Sequence, residues 1–194
     1  MFLKQLSSLQ FLLRQGLAIR GHTDEESNLS QLLKLRCEDE KNLRSWLQEK
    51  KYGSPEIINE CITLFASEVV NNILNEIRAA KYFSILADET KDVQNKEQLS
   101  LCLRWVDNQF CVHEDVLVFV HVIKTDSEPL CSEIVQAVDK LGLNLNMCRG
   151  QGYDGAANMS GHLNGVGVRI QRVEPTAIPV HCFAHCLNLC LQDA

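Results

Sequence analysis

The sequence predicts an α/β fold: a mixed five-stranded sheet with flanking helices, preceded by an all-helical N-terminal region. Three observations carry this. Up to about Lys81 the apolar residues recur at helical spacing, and beyond it they fall in short runs of strand length. The later segments then follow the order three strands, helix, strand, helix, strand, helix, which joins an antiparallel meander to strands reached through helical crossovers.

Leu3 to Ile19 has apolar residues at 3, 6, 9, 12, 13 and 17, and Gly21 with the polar run His22-Thr23-Asp24-Glu25-Glu26 closes it. Asn28 to Lys50 repeats the pattern through Leu29, Leu32, Leu33, Leu35, Leu43, Trp46 and Leu47. Tyr52-Gly53-Ser54-Pro55 then supplies a stop, an N-cap and a proline for the first turn of a third helix, Pro55 to about Lys81, with one apolar face. Residues 1–54 form the predicted helical extension and 55–194 the predicted core domain.

The period changes at Tyr82. Tyr82 to Ala87 is an apolar run that ends in Asp88-Glu89-Thr90-Lys91-Asp92, as a buried strand running into a loop would. Glu97 to Val106 and Glu114 to Ile123 are the next two strands, with a turn near Asp107-Asn108-Gln109. Pro129 to Leu141 is an amphipathic helix closed by Gly142. A glycine-rich strand and turn, Cys148 to Asn158, precedes a helix over Asn158 to Val173, and Ala177 to Val180 is a last short strand before a final helix.

Composition sets limits. The chain of 194 residues has a formal net charge of -6, too acidic for a protein that coats phosphates over its whole surface. Its nine cysteines are an odd number scattered through apolar segments, the pattern of reduced thiols rather than of a disulfide framework. Lys4, Gln5, Gln10, Arg14 and Gln15 interrupt the apolar N-terminus, so neither a signal peptide nor a membrane span is expected there.

Asp88 and Asp154 each end a predicted buried strand, the edge at which open α/β sheets hold their ligands. Two carboxylates brought to one edge can share hard divalent cations. The same residues also suit simpler roles, Asp88 as a turn cap and Asp154 in an Asx or glycine turn.

Ser84-Ile85-Leu86-Ala87-Asp88-Glu89-Thr90 resembles the first-strand motif of hAT-superfamily transposases. Gly150-Gln151-Gly152-Tyr153-Asp154-Gly155-Ala156-Ala157-Asn158-Met159-Ser160-Gly161 is similar to the second-aspartate motif of their domesticated vertebrate relatives, including zinc-finger MYM-type proteins. Cys182-Phe183-Ala184-His185, leading into Leu187-Asn188-Leu189, resembles the C-x-x-H motif that follows.

The resemblance spans about Pro55 to Ala194. It implies a ribonuclease-H-like core, an ancestral activity of metal-dependent DNA strand cleavage and transfer, and Asp88 and Asp154 as the first two members of an Asp-Asp-Glu triad that binds Mg²⁺ or Mn²⁺. In the family the final glutamate lies far downstream, beyond a helical insertion, and no residue here matches it. Weak cation binding without strand cleavage is therefore the expectation for this chain. The family's zinc finger and dimerisation region have no counterpart either, so DNA gives way to protein partners or a second copy. The competing reading is a non-catalytic, domesticated interaction module in transcriptional regulation, placed in the nucleus or else the cytoplasm. Leu187 to Ala194 read as a helix without a cap, as a truncated gene product would end.

His181-Cys182-Phe183-Ala184-His185-Cys186 offers the ligand types of a zinc site, but a second half-site is not evident. Cys182, Cys186 and Cys190 fall on one helical stripe. Core packing and support of the site are expected of this segment, rather than structural zinc.

Overall fold

The computed structural model describes residues 1–49 and 52–192, and it divides into two compact units, Met1–Glu68 and Val69–Ala194. The first is helical: α1 (Phe2–Arg14), α2 (Asn28–Arg36), α3 (Lys41–Gln48) and the first half of α4 (Pro55–Ala80). Its core gathers Leu9, Leu12, Leu29, Leu33, Leu43, Ile58 and Cys61.

Two boundaries differ from the sequence expectation. The first helix stops at Arg14 because Gly16 takes φ +64° and allows a Schellman closure, with Leu17 N–H donating to Leu12 O (3.0 Å) and Gly16 N–H to Leu13 O (3.2 Å). The segment expected as one helix from Asn28 is broken into α2 and α3 at the acidic Glu38-Asp39-Glu40, where no apolar residue holds the turn against the core. Its predicted end, Lys50, lies outside the described residues. Ser27 caps α2 through Ser30 N–H, and Ser54 caps α4 through Ile57 N–H, just before Pro55.

By length and composition α4 is the one described helix apolar enough to cross a bilayer. It carries Glu60 and Glu68 within its apolar stretch and gives Ile58 and Cys61 to one core, Leu74 and Ile77 to the other. Those are the marks of an amphipathic helix with a narrow buried stripe.

The second unit is the α/β domain. A mixed sheet has the order β3-β2-β1-β4-β5, built from β1 (Phe83–Lys91), β2 (Glu97–Val106), β3 (Val112–His121), β4 (Cys148–Tyr153) and β5 (Ile178–His181). β1, β2 and β3 form the antiparallel meander; β4 lies parallel to β1, and β5 parallel to β4. Crossovers carry α5 (Ser127–Lys140), then α6 (Ala157–Ser160) and α7 (Val166–Val173); α8 (Phe183–Gln192) follows β5. One sheet face is buried under Leu130, Ile134, Val138, Val166 and Ile170, packed against Phe83, Ile85, Leu99, Leu101, Leu103 and Trp105.

Both hairpin turns use one device. Asp92 Oδ1 accepts from Gln94 and Lys96 N–H (2.7 and 2.9 Å), and Asp107 Oδ1 accepts from Gln109 and Cys111 N–H (2.8 and 2.9 Å). Asp107 Oδ2 also meets His113 Nε2 at 2.8 Å, and this contact leads the causes that hold its carboxyl below the usual range. His113 stacks on Trp105 at 4.2 Å between ring centroids, so its partners are structural.

The helix expected over Asn158 to Val173 is split at residues 161–165. A Cβ on Gly161 would collide with Ala157 O, and one on Gly165 would lie 2.5 Å from Gly161 N, so the chain turns back on itself where only glycine fits.

Candidate metal centre

The strand register brings the two aspartates together. Ser84, Ile85 and Leu86 pair with Gly150, Gln151 and Gly152 in parallel, and two places further along each strand stand Asp88 and Asp154. Close approach of the strands depends on Gly150, where a Cβ would lie 2.8 Å from Ser84 Oγ.

Asp88 is not in a loop, contrary to the sequence expectation. β1 runs on to Lys91 because β2 pairs with its polar end, Asp88 opposite Ser100 and Lys91 opposite Glu97, with a Lys91–Glu97 ion pair at 3.1 Å. Asp154 follows β4 directly, and its Oδ1 accepts from Ala156 N–H at 3.1 Å. Ser160 Oγ donates to Asp154 O, tying the turn to α6.

β5 completes the edge. Its last pair is His181 opposite Tyr153, after which Cys182 N–H donates to Tyr153 O at 2.7 Å and the chain turns into α8. His185 thus enters in the first turn of α8. Ligand atoms of Asp88, Asp154 and His185 all lie within 4.8 Å of one another, the one such group of three donors among the described residues. Asp88 is exposed and Asp154 is half-buried.

Cys182 and His185 perturb each other. The His185 backbone N–H, followed by its side chain, draws the Cys182 thiol below its usual range. Cys182 is the leading cause that raises the His185 imidazole, and Asp88 and Asp154 add to it. The cysteine stripe of α8 is not a core element, because Cys182 and Cys186 are only half-buried and Cys190 is exposed. The packing expected of the stripe does not match this exposure, and Cys182 and His185 stand instead beside Asp88 and Asp154.

Sequence reasoning missed Glu89. It lies on the strand face that buries Phe83, Ile85 and Ala87, and its Oε1 accepts from Asn158 Nδ2 at 3.1 Å. The same amide donates to Thr125 O at 3.0 Å, so Asn158 joins β1, α6 and the loop after β3. Burial, then repulsion from Asp154, Glu97 and Asp88, raises the Glu89 carboxyl above its usual range. The weak signal available was an acidic residue continuing the apolar alternation of β1.

Beneath the edge lies a buried polar relay. Tyr153 Oη donates to Gln151 Oε1 (2.8 Å), and Gln151 Nε2 donates to Ala177 O (2.7 Å) and Gly167 O (3.2 Å). It holds β4 against α7 and the approach to β5.

Over residues 1–165 the chain matches the family described as ZMYM1/FAM200, RNase-like domain. The chain belongs to this family. The match takes in Asp88 and Asp154 and ends before Cys182 and His185. Across its whole length the chain is also 25% identical to the human protein named 52 kDa repressor of the inhibitor of the protein kinase, and 25% identical to the mouse protein of the same name. It spans 27% of the length of each. This ZMYM1/FAM200 RNase-like domain is thus a domesticated, hAT-derived domain, as its motifs suggested, on an α/β fold with a five-stranded mixed sheet.

Proposed function

We propose that this domain binds a divalent cation, Mg²⁺ or Mn²⁺, through Asp88 and Asp154, and that it descends from a DNA strand-transfer core. The observation that carries the reading is the convergence of two carboxylates and an imidazole at the ends of adjacent parallel strands. The donors fit such an ion. Carboxylate oxygens are the usual ligands of hard cations, and His185 Nδ1 is buried without a hydrogen-bond partner.

When bound, the cation would supply Lewis-acid polarisation of a phosphoryl oxygen. Asp88 would present its carboxylate from a strand fixed on both sides, and Asp154 from a turn fixed by Ala156 and Ser160. Two carboxylates at one sheet edge suffice to hold a cation, and binding is the role we assign to them.

Titration of the chain with Mg²⁺ and then Mn²⁺, followed through backbone amide NMR, tests the assignment. Saturable Mg²⁺ shifts, and Mn²⁺ line broadening, shared by the Asp88 and Asp154 segments and lost in Asp88→Asn/Asp154→Asn are the expected result. Their absence would return both aspartates to turn and strand-end roles.

The biological setting belongs to the same proposal: a regulatory protein of the nucleus, acting through protein contacts. The human and mouse relatives are named as repressors, and the net charge of -6 disfavours a broad DNA contact. β3 exposes Val112, Val116 and Phe119, apolar surface of the kind that protein partners cover.

A further inference from the structure

The two hairpins of the meander are one turn built twice. Asp92 N–H donates to Lys96 O and Asn95 N–H to Asp92 O (3.0 and 2.9 Å); Asp107 N–H donates to Cys111 O and Phe110 N–H to Asp107 O (both 3.0 Å). The equivalent residue of each turn is left-handed, Asn95 at φ +57° and Phe110 at φ +62°. Asparagine suits that conformation, whereas a bulky side chain there is an outlier. Phe110 is nonetheless 89% exposed, so no packing within the domain offsets the strain. An outlier of this kind, held where the fold gains nothing from it, points to a task outside the fold.

Phe110 stands at the head of an open sheet edge, because β3 ends the sheet order. Asp107 with Cys111, and Glu97 with Val122, are hydrogen-bonded pairs at the two ends of the β2–β3 ladder, and bonding alternates along such a ladder. His113, Asp115, Val118 and Val120 therefore bond to β2. Val112, Glu114, Val116, Phe119 and His121 turn their N–H and C=O groups outward, and an outward row of this kind is a template for another strand. The register shift that leaves Leu117 unpaired divides the row, so residues 112–116 form the regular stretch next to Phe110. Val112 and Val116 are exposed on it.

A second copy fits this edge poorly. Two-fold pairing of residues 112–116 centres on Glu114 and sets that carboxylate against itself, and longer pairing brings bulge against bulge. A basic strand fits it well, because β3 contains Glu114 and Asp115 but neither Lys nor Arg. Glu114 faces Arg104 on its β2 side, and an incoming Lys or Arg would flank it on the other.

We propose that residues 110–116 are a docking site for an extended, basic segment of a partner protein. The segment adds to the sheet beside β3, lays apolar side chains on Val112 and Val116 and a Lys or Arg against Glu114, and is anchored by Phe110. This deepens the protein-contact half of the reading above and is independent of the cation.

Selection of a random-peptide display library on the full chain, followed by amide NMR with the enriched peptides, tests the site. The expected peptides alternate apolar residues around a Lys or Arg, and they slow hydrogen exchange at the Val112, Glu114 and Val116 amides. Phe110→Asn, which installs the residue of the first hairpin, should hold or raise Tm while weakening binding at least about tenfold. Glu114→Gln should weaken it roughly two- to fivefold. Glu114→Pro removes an outward N–H that β2 does not use, and it should abolish binding.

Peptides that leave those three amides unprotected, or whose affinity Phe110→Asn does not change, overturn the docking site and leave the protein-contact reading standing. Enrichment of no peptide overturns both. Protection of the same amides that rises with chain concentration, without peptide, gives the edge to a second copy and overturns the basic partner. A fall in Tm for Phe110→Asn would mean that the ring serves the fold, which overturns its role as anchor.

Discussion

Gln151 is among the most deeply buried polar side chains of the domain, and its three hydrogen bonds tie β4, α7 and the approach to β5 together. Truncating it strands the buried Tyr153 hydroxyl and two carbonyls without their partner. Gln151→Ala should cost about 2–4 kcal/mol, and Tyr153→Phe, which leaves one acceptor unpaired, about 1–2 kcal/mol, both read from urea unfolding. Glu89 offers a test by pH. Its raised pKa means that the folded state holds the proton more tightly than the unfolded chain, so ionised Glu89 opposes folding as pH climbs above about 4.5, the ordinary value of a glutamate carboxyl. Glu89→Gln, which keeps an acceptor for Asn158, should be more stable than wild type at pH 7, with the gap closing as pH falls towards 4.5. An equal gap at both pH values would show that the charge is already neutralised. Neither residue could be weighed from sequence, because Gln151 and Glu89 act through partners distant in the chain. Asp88 and Asp154 could be, since Asp88 follows the apolar run Tyr82 to Ala87 and Asp154 stands in a glycine-rich turn.

Strand pairing set the elements that sequence misjudged. An apolar run ends at Ala87, yet the ladder continues through four polar residues because β2 supplies a partner for each. Periodicity reads burial and is blind to such an extension. The split of the predicted helices at 38–40 and 161–165 has a different origin, a break in the backbone inside a segment whose composition still looked helical. By contrast, Glu97–Val106 matches its expected bounds, since hydrophobic alternation marks a strand with one buried face. The parallel β1–β4 contact depends on Gly150, and Gly150→Ala should force Ser84 aside, with a loss of about 1–3 kcal/mol in thermal or urea unfolding. If stability is unchanged, the Ser84 side chain rotates away freely and the strands have slack.

For the molecule as a whole, charge and topology are the governing quantities. A net charge of -6 should keep a 30-base-pair duplex from binding at low salt, with no anisotropy change at micromolar chain; strong salt-dependent binding would instead point to a local basic surface that composition conceals. The topology has a further consequence in time. The meander β1-β2-β3 is built from neighbouring segments, whereas Ser84 must find Gly150 across the whole of β2, β3 and α5. Closing that long loop comes at a late entropic cost, so the hairpins should form first and the parallel half afterwards. Leu101→Ala should then slow refolding, while Gly150→Ala chiefly speeds unfolding, a contrast that stopped-flow kinetics can read. The Asp88–Asp154 edge would come into being only in the last act of folding, and a bound cation would report a finished domain rather than guide its assembly.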